Sequence, residues 1–200
     1  MIGIVAAALA AVLVAAQFAL PAIGEGQIED RLTENGGSAT VKLSAMPAVR
    51  LLWGDGDTLD VQGADLELDL SENPEVFDRL DGFGKVDVSL ADFRAGPFEV
   101  ASFELARDGS GPYTVRFTSS TTAAELVDFG VDSLGLPGGG LLGFFAEQAT
   151  GVHRRIPISL DMEMESDDGR VRVVSGGGTV AGYPTGPLAE LITAAIVVRL

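Results

Sequence analysis

Cysteine is absent from this chain of 200 residues, and histidine occurs once, as His153. Disulfides, thiol catalysis and cysteine-ligated metals are therefore excluded. One histidine cannot build a multi-histidine metal site, and no Gly-x-Ser-x-Gly elbow accompanies it to indicate a serine hydrolase. We predict that the protein is not an enzyme, with no catalytic residue, no metal site and no cofactor.

Basic residues are few, with 13 Lys and Arg against 29 Asp and Glu, a formal net charge of -16. Nucleic acid is excluded as a partner because phosphate binding needs a basic surface. Electrostatic docking on an anionic membrane is disfavoured for the same reason, so apolar contact would have to supply any affinity for lipid. Hydrophobic residues make up 46% and charged residues 21%, which is typical of a folded domain.

Charge is also missing from the first 24 residues, because the first charged residue is Glu25. This segment is long enough to span a bilayer and also resembles the apolar part of a secretory signal, although a basic n-region is missing. A cut before Gln17 would follow the small residues Val14 and Ala16. We predict a signal peptide or a membrane anchor over residues 1–24, and one domain over 25–200. Helical spacing continues to Leu32, which predicts a long N-terminal helix.

From Ser38 onward, apolar residues alternate with a period of two, which predicts strands. The alternation changes phase at Gly63-Ala64 in "DTLDVQGADLELDL" and again within "PFEVASFELARD". A bulge can absorb such a one-residue slip, so the strands should form a bent, bulged sheet. Short turns between strands favour antiparallel pairing. Shorter helices are predicted after the capping box Thr122–Glu125 and after Thr185.

Three apolar stretches could form ordinary core or contact lipid. In "IPISLDMEME" the oily face of the predicted strand consists of Ile156, Ile158, Leu160, Met162 and Met164. "LLGFF" supplies Leu141, Leu142, Phe144 and Phe145, as core or as a mobile apolar tip. "RLLWGDG" contains Leu51, Leu52 and the single tryptophan, Trp53, for which core is the favoured interpretation.

Two charged groups also allow two interpretations. Arg154 and Arg155 precede the oily strand and are either solvated surface or a pair that meets a lipid phosphate. Asp55, Asp57 and Asp60 are close together, as in a calcium loop, but the position that should hold a bidentate glutamate is Leu66. A hairpin turn with charged edges is the favoured interpretation for the three aspartates.

Several blocks together resemble the LmeA-like phospholipid-binding proteins of actinobacterial cell envelopes. They are "LPAIGEGQIEDRL", "MPAVRLLWGDGDTLDV", "ADFRAGPFEV", "TTAAELVDF" and "GGTVAGYPTGPLAELI", in an order that covers residues 20–200. The resemblance implies an exported or membrane-tethered envelope protein that binds phospholipid, such as phosphatidylinositol, and supports lipid or lipoglycan maintenance. It also implies similarity to the tubular lipid-binding fold. No residue-level binding site follows from it.

The sequence thus predicts an α+β fold, in which a bent antiparallel sheet with bulged strands packs on a long N-terminal helix and shorter helices. The predicted function is phospholipid binding, with a membrane contact through the N-terminal segment. The alternative is an acidic scaffold without a ligand, and a third hypothesis, an acidic hydrolase, has no identifiable site. The predicted lipid-binding residues are Ile156, Ile158, Leu160, Met162, Met164, Leu141, Leu142, Phe144 and Phe145, with Arg154 and Arg155 at the headgroup.

Overall fold

The computed structural model describes residues 2–68, 77–122, 124–125, 155–167, 170–180 and 183–185. Its helices are α1 (Ile2–Leu32), a 3-10 helix (Ala48–Trp53) and α2 (Asp78–Asp81). The strands are β1 (Ser38–Ser44), β2 (Gly56–Ala64), β3 (Glu67–Leu68), β4 (Phe83–Ala95), β5 (Phe98–Asp108), β6 (Tyr113–Thr121), β7 (Ile156–Asp167), β8 (Arg170–Val180) and β9 (Tyr183–Thr185). The α+β class is confirmed.

The described strands form one nine-stranded sheet in the order β1-β2-β4-β5-β6-β7-β8-β9, with β3 also paired to β4. All neighbours are antiparallel except that β2 and β3 each pair with β4 in parallel. The prediction of a purely antiparallel sheet is therefore wrong at this point. Parallel neighbours need a crossover, and here β4 begins beside the start of β2, with Phe83 opposite Gly56.

Neighbouring strands change which side-chain positions they bury at the same level of the sheet, around Asp65, Asp92 and Ala101. We call this line across the sheet the crease. In β2 and β3 the buried positions change from odd to even numbers around Asp65, as predicted, and in β4 they change from even to odd at Asp92. The two aspartates continue the same parallel register, and both have positive φ, 56° and 49°. Asp is among the few residues that adopt this left-handed backbone readily.

The crease continues into β5 and ends before β6. The buried face of β5 changes phase around Ala101, which lies opposite Asp92 in the antiparallel register. The pairing of β5 with β6 shifts by one residue between Val100 and Ser102, which is the predicted bulge. Because the bulge absorbs the extra residue, β6 keeps a single phase from Tyr113 to Thr121.

The inward faces of the strands share one hydrophobic core. Its largest fully buried side chains belong to Tyr113, Phe77, Phe98, Phe103, Phe117, Leu32, Leu59, Leu66, Leu68, Leu80, Leu90 and Leu105. Leu32 is the last residue of α1, and its buried side chain packs in this core. The core therefore extends from α1 across the crease to β7.

The predicted capping box is confirmed at its hydrogen bonds. The Thr122 N–H donates to Glu125 Oε2 over 2.8 Å, and the Glu125 N–H donates back to Thr122 Oγ1 over 3.2 Å. The helices predicted beyond Glu125 and beyond Thr185 lie outside the described residues. Among the residues that are described, no helix combines the length and hydropathy that a membrane crossing requires.

Candidate functional site

An apolar groove of about 660 Å³ lies between α1, the 3-10 helix and α2, with β1 and β2 at its base. Its volume is within the range of small-molecule sites, about 300–1,000 Å³. Its described lining residues are Leu20, Ile23, Gly24, Gln27, Ile28, Arg31, Leu43, Leu51, Leu52, Trp53, Gly54, Leu59, Arg79, Leu80 and Phe83. The groove therefore depends on how α1 and the 3-10 helix are held against the sheet.

Side-chain carboxylates hold α1 along the outer edge of β1. The Val41 N–H donates to Glu29 Oε1 and the Leu43 N–H donates to Glu25 Oε1, each over 2.8 Å. Four helical residues rise about 6 Å and two strand residues about 6.6 Å, so helix and strand repeats match. The acids of α1 thus pair the backbone donors of an edge strand as a neighbouring strand would.

A glutamine continues this attachment toward the 3-10 helix. Gln17 Nε2 donates to the Ala45 carbonyl, and the Ala48 N–H donates to Gln17 Oε1, both over 2.8 Å. Residues from Gln17 onward are therefore fastened to the domain, within a helix that passes through the predicted boundary at residue 24. A cut before Gln17 would leave these contacts intact. The fate of residues 1–24 stays a prediction.

The 3-10 helix presents its last residues to solvent. Trp53 is 75% exposed and Leu52 is 64% exposed, while Leu51 is half-buried. The favoured interpretation of Leu52 and Trp53 as core is therefore wrong. The spacing of apolar residues could not predict this exposure, because a short 3-10 helix has neither the period of a strand nor that of an α-helix.

Arg50 fixes the loop that carries these residues. Its guanidinium donates to both carboxylate oxygens of Asp55, at 3.1 and 2.9 Å, and to Asp57 Oδ1 at 2.7 Å. Asp57 Oδ2 in turn accepts the Met46 N–H over 2.8 Å. Asp55 and Asp57 are therefore held by an arginine, which agrees with the charged turn favoured over a calcium loop.

Arg50 also controls how this loop responds to acid. Its hydrogen bonds hold the pKa of Asp55 below the usual value, and the same bonds raise the pKa of Arg50. A carboxylate with a lowered folded-state pKa stabilises the loop above its unfolded pKa, and that contribution is lost as pH falls through the folded pKa. The contacts of Arg50 with Asp55 should therefore hold the loop at neutral pH. They should be lost only in acid, as the pH falls through the lowered pKa of Asp55.

We expect Arg50→Ala to loosen the loop already at neutral pH, since both aspartates lose their partner. Hydrogen exchange at the Met46 amide and the anisotropy of Trp53 emission would measure this. Arg116→Ala, which removes an exposed arginine of β6, is the matched control. Equal exchange at Met46 in the Arg50 variant and the parent protein would contradict the role of Arg50.

The charge of the groove is opposite to that of the protein. Its charged lining residues among those described are Arg31 and Arg79, both exposed, and none of the described lining residues is acidic. In a chain with a net charge of -16 this is an unusual local composition. The groove thus offers an apolar wall together with cations for an anionic group.

Two further cavities have walls that contain acids as well as arginines. A cavity of about 680 Å³ follows the crease and is mainly acidic, with Asp65, Glu67, Asp92 and Glu99 beside Arg94. Another, of about 540 Å³, is mixed, with Asp57, Asp81 and Glu165 beside Arg50 and Arg107. Among the described residues no group of three or more His, Asp or Glu side chains is arranged to hold a metal ion. Both of these walls contain acids, whereas the described wall of the groove contains none.

The predicted oily face of β7 lies inside the core. Ile158, Leu160, Met162 and Met164 are at most 4% exposed, and Ile156 is half-buried. Their side chains belong to the same core cluster as those of β5 and β6. Residues 156–164 contribute to none of the three described cavity walls. The contact of this face with lipid stays a prediction, and the groove of α1 is a separate site that the sequence did not indicate.

The remaining predicted site residues are only partly within the described chain. Leu141, Leu142, Phe144, Phe145 and Arg154 lie outside the described residues, as does His153. Arg155 pairs with Glu99 on the exposed face, donating to Glu99 Oε1 over 2.9 Å and to Ser120 Oγ over 3.1 Å. This ion pair lowers the pKa of Glu99. A role for Arg155 at a headgroup stays a prediction.

No protein-family model, curated protein or solved structure matches the chain.

Proposed function

We propose that the protein is a non-enzymatic phospholipid-binding protein of the cell envelope, exported across the plasma membrane or anchored to it. An acyl chain of the lipid lies in the groove beside α1, and the groove arginines, Arg31 and Arg79, bind the phosphate of an anionic lipid such as phosphatidylinositol. The observation that carries this proposal is the composition of the groove, which is apolar with arginines as its only described charges in a strongly acidic protein.

Apolar burial can supply the main part of the affinity. Each methylene removed from water contributes about 0.8 kcal/mol, so an acyl segment along Ile23, Leu43 and Leu59 gains free energy without a basic surface. The arginines then select the headgroup, because charge-assisted hydrogen bonds to phosphate are stronger than neutral ones. The resemblance to LmeA-like proteins agrees with this proposal and is itself a prediction.

The proposal predicts that phospholipid accompanies the purified full-length chain and that anionic species are enriched over the host membrane. Native mass spectrometry and lipid extraction would measure both. The double variant Arg31→Ser/Arg79→Ser should bind anionic lipid about tenfold more weakly, corresponding to about 1.4 kcal/mol, and neutral lipid equally well. The selectivity for anionic lipid would then be lost while apolar binding remained.

Arg94→Ser/Arg116→Ser is the matched control, since it removes the same charge from exposed strand positions outside the groove. Trp53 provides a second readout, because the only tryptophan of the chain lines the groove and its emission should shift to shorter wavelength on binding. A chain that purifies without lipid, and whose emission does not change with added phosphatidylglycerol, would refute the proposal in favour of the acidic scaffold.

A further inference from the structure

Large exposed apolar side chains are concentrated at one end of the described protein. Met46 is 77% exposed, and Leu52 and Trp53 project from the adjacent 3-10 helix, with Phe18 and Ile23 exposed on α1. Monomeric soluble proteins rarely expose contiguous apolar patches of this kind unless the patch contacts a partner. We call Met46, Leu52 and Trp53 the apolar tip.

The apolar tip is held in place by polar contacts on both sides. Gln17 binds Ala45 and Ala48, which flank Met46 and Pro47, and so fixes the start of the loop to α1. Arg50 binds Asp55 and Asp57 and so fixes its end. The exposed side chains thus belong to an organised loop, and presenting them in this way lowers the ordering cost of binding.

Charge near the apolar tip is compatible with a partner that carries phosphates. The acids next to it, Asp55 and Asp57, are occupied by Arg50, and the neighbouring groove adds Arg31 and Arg79. In a protein of net charge -16, this end is therefore compatible with a surface that carries phosphates. Elsewhere, as at the crease, acidic walls would repel such a surface.

The residue types fit a bilayer surface. Tryptophan is enriched at the level of lipid headgroups, where its ring is apolar and its N–H remains wet. Methionine adapts to irregular apolar surroundings. The tip also lies beside the part of α1 that precedes Glu25, in which no residue is charged.

We propose that the apolar tip inserts into the headgroup layer of a phospholipid bilayer and places the groove mouth, where Leu52 and Trp53 lie, against the membrane surface. The inference extends the proposed function, since a groove at the bilayer surface can take lipid from it. It does not require a lipid in the groove, because Met46 lies outside the described groove wall.

The test uses the full-length chain with phosphatidylcholine vesicles that contain phosphatidylglycerol, an anionic lipid, brominated on its acyl chains close to the headgroup. Trp53 emission should shift to shorter wavelength and be quenched by the bromine, relative to vesicles without bromine. Met46→Ser should weaken the quenching, and Met46→Ser/Leu52→Ser should abolish most of it. Val173→Ser/Val174→Ser, which removes two exposed apolar side chains from β8, should leave it unchanged.

A third variant separates this inference from the proposed function. If quenching is retained in Met46→Ser but lost in Arg31→Ser/Arg79→Ser, the brominated lipid occupies the groove and the insertion of the tip is overturned. If Arg31→Ser/Arg79→Ser loses anionic lipid on purification yet keeps the quenching, both proposals are supported independently. An emission shift without quenching by bromine would indicate contact with a second copy of the chain and would also overturn the inference.

Discussion

Arg107→Ala is expected to lower the free energy of unfolding by about 3 kcal/mol, the lower end of the range for breaking a buried ion pair. The Arg107 side chain is only 8% exposed and donates to Asp81 Oδ1 over 2.9 Å. It also donates to three backbone carbonyls, those of Leu80, Asp81 and Phe83. Alanine would remove these four contacts around α2, although Asp81 Oδ1 would keep the Tyr113 hydroxyl and the Leu80 carbonyl would keep the Gly82 N–H. A loss of this size should lower the melting temperature by about 10 °C.

An aromatic pair supports the same guanidinium. Arg107 Cζ lies 4.5 Å from the ring centroid of Tyr113, which is stacked on Phe77 at 4.1 Å, and the Tyr113 hydroxyl donates to Asp81 Oδ1 over 2.9 Å. Burial, together with the acidic partner, raises the pKa of Tyr113, so its hydroxyl remains a donor at neutral pH. Tyr113→Phe should therefore cost about 1 kcal/mol, the value of one hydrogen bond.

Arg107→Lys separates charge from geometry. Lysine keeps the charge but cannot reproduce the fork of donors that reaches several carbonyls, so it should recover only part of the loss. Urea denaturation of the three variants would give the order Arg107→Ala, Arg107→Lys and Tyr113→Phe, from least to most stable. A stability of Arg107→Ala within about 0.5 kcal/mol of the parent would show that the cluster contributes little.

Glu25→Ala/Glu29→Ala should detach α1 from the sheet edge. Each substitution leaves one half-buried N–H of β1 without an acceptor, at a cost of about 1–2 kcal/mol, and alanine preserves helix propensity. The double variant should lose about 3 kcal/mol of stability in urea. It should also exchange the Val41 and Leu43 amides faster and bind lipid more weakly, because α1 forms one wall of the groove.

The control for this prediction retains the acceptors. Glu25→Gln/Glu29→Gln removes the same two charges but keeps a side-chain carbonyl oxygen at each position, so it should retain most of the stability. Asp30→Ala removes an exposed acid from α1 and should have little effect. If the alanine and glutamine variants are equally unstable, net charge and not hydrogen bonding to β1 holds the helix.

The positions of several strands and of the bulge could be predicted from the local alternation of apolar and polar residues. The alternation in "SATVKLS" predicted β1, and the phase changes predicted the interruption between β2 and β3 and the bulge in β5. The same test applied to "VDVSLADFRA" would have found the slip in β4, where buried Leu90 is followed by buried Phe93. These features are local, since each depends on which face a few consecutive side chains occupy.

The parallel pairing and the groove are not local. Pairing of β2 with β4 depends on the path of the chain through α2, which alternation does not encode. The groove is assembled from α1, β1, the 3-10 helix, β2, α2 and the start of β4, so no single stretch contains it. The exposure of Trp53 depends on contacts that alternation does not encode. Arg50 binds Asp55 and Asp57, five and seven residues further along, and these contacts fix the loop that carries Trp53.

The crease couples the lengths of the neighbouring strands that it crosses. Deleting Asp92 alone would turn Phe93 toward solvent and bring Arg94 into the core, since each later side chain would change face. Asp65 holds the equivalent place on the neighbouring parallel strand and Ala101 the equivalent place on β5, so a residue lost from one strand must be lost from all three. Insertions and deletions at the crease are therefore tolerated only when these strands change together, whereas β6 has no extra residue to match.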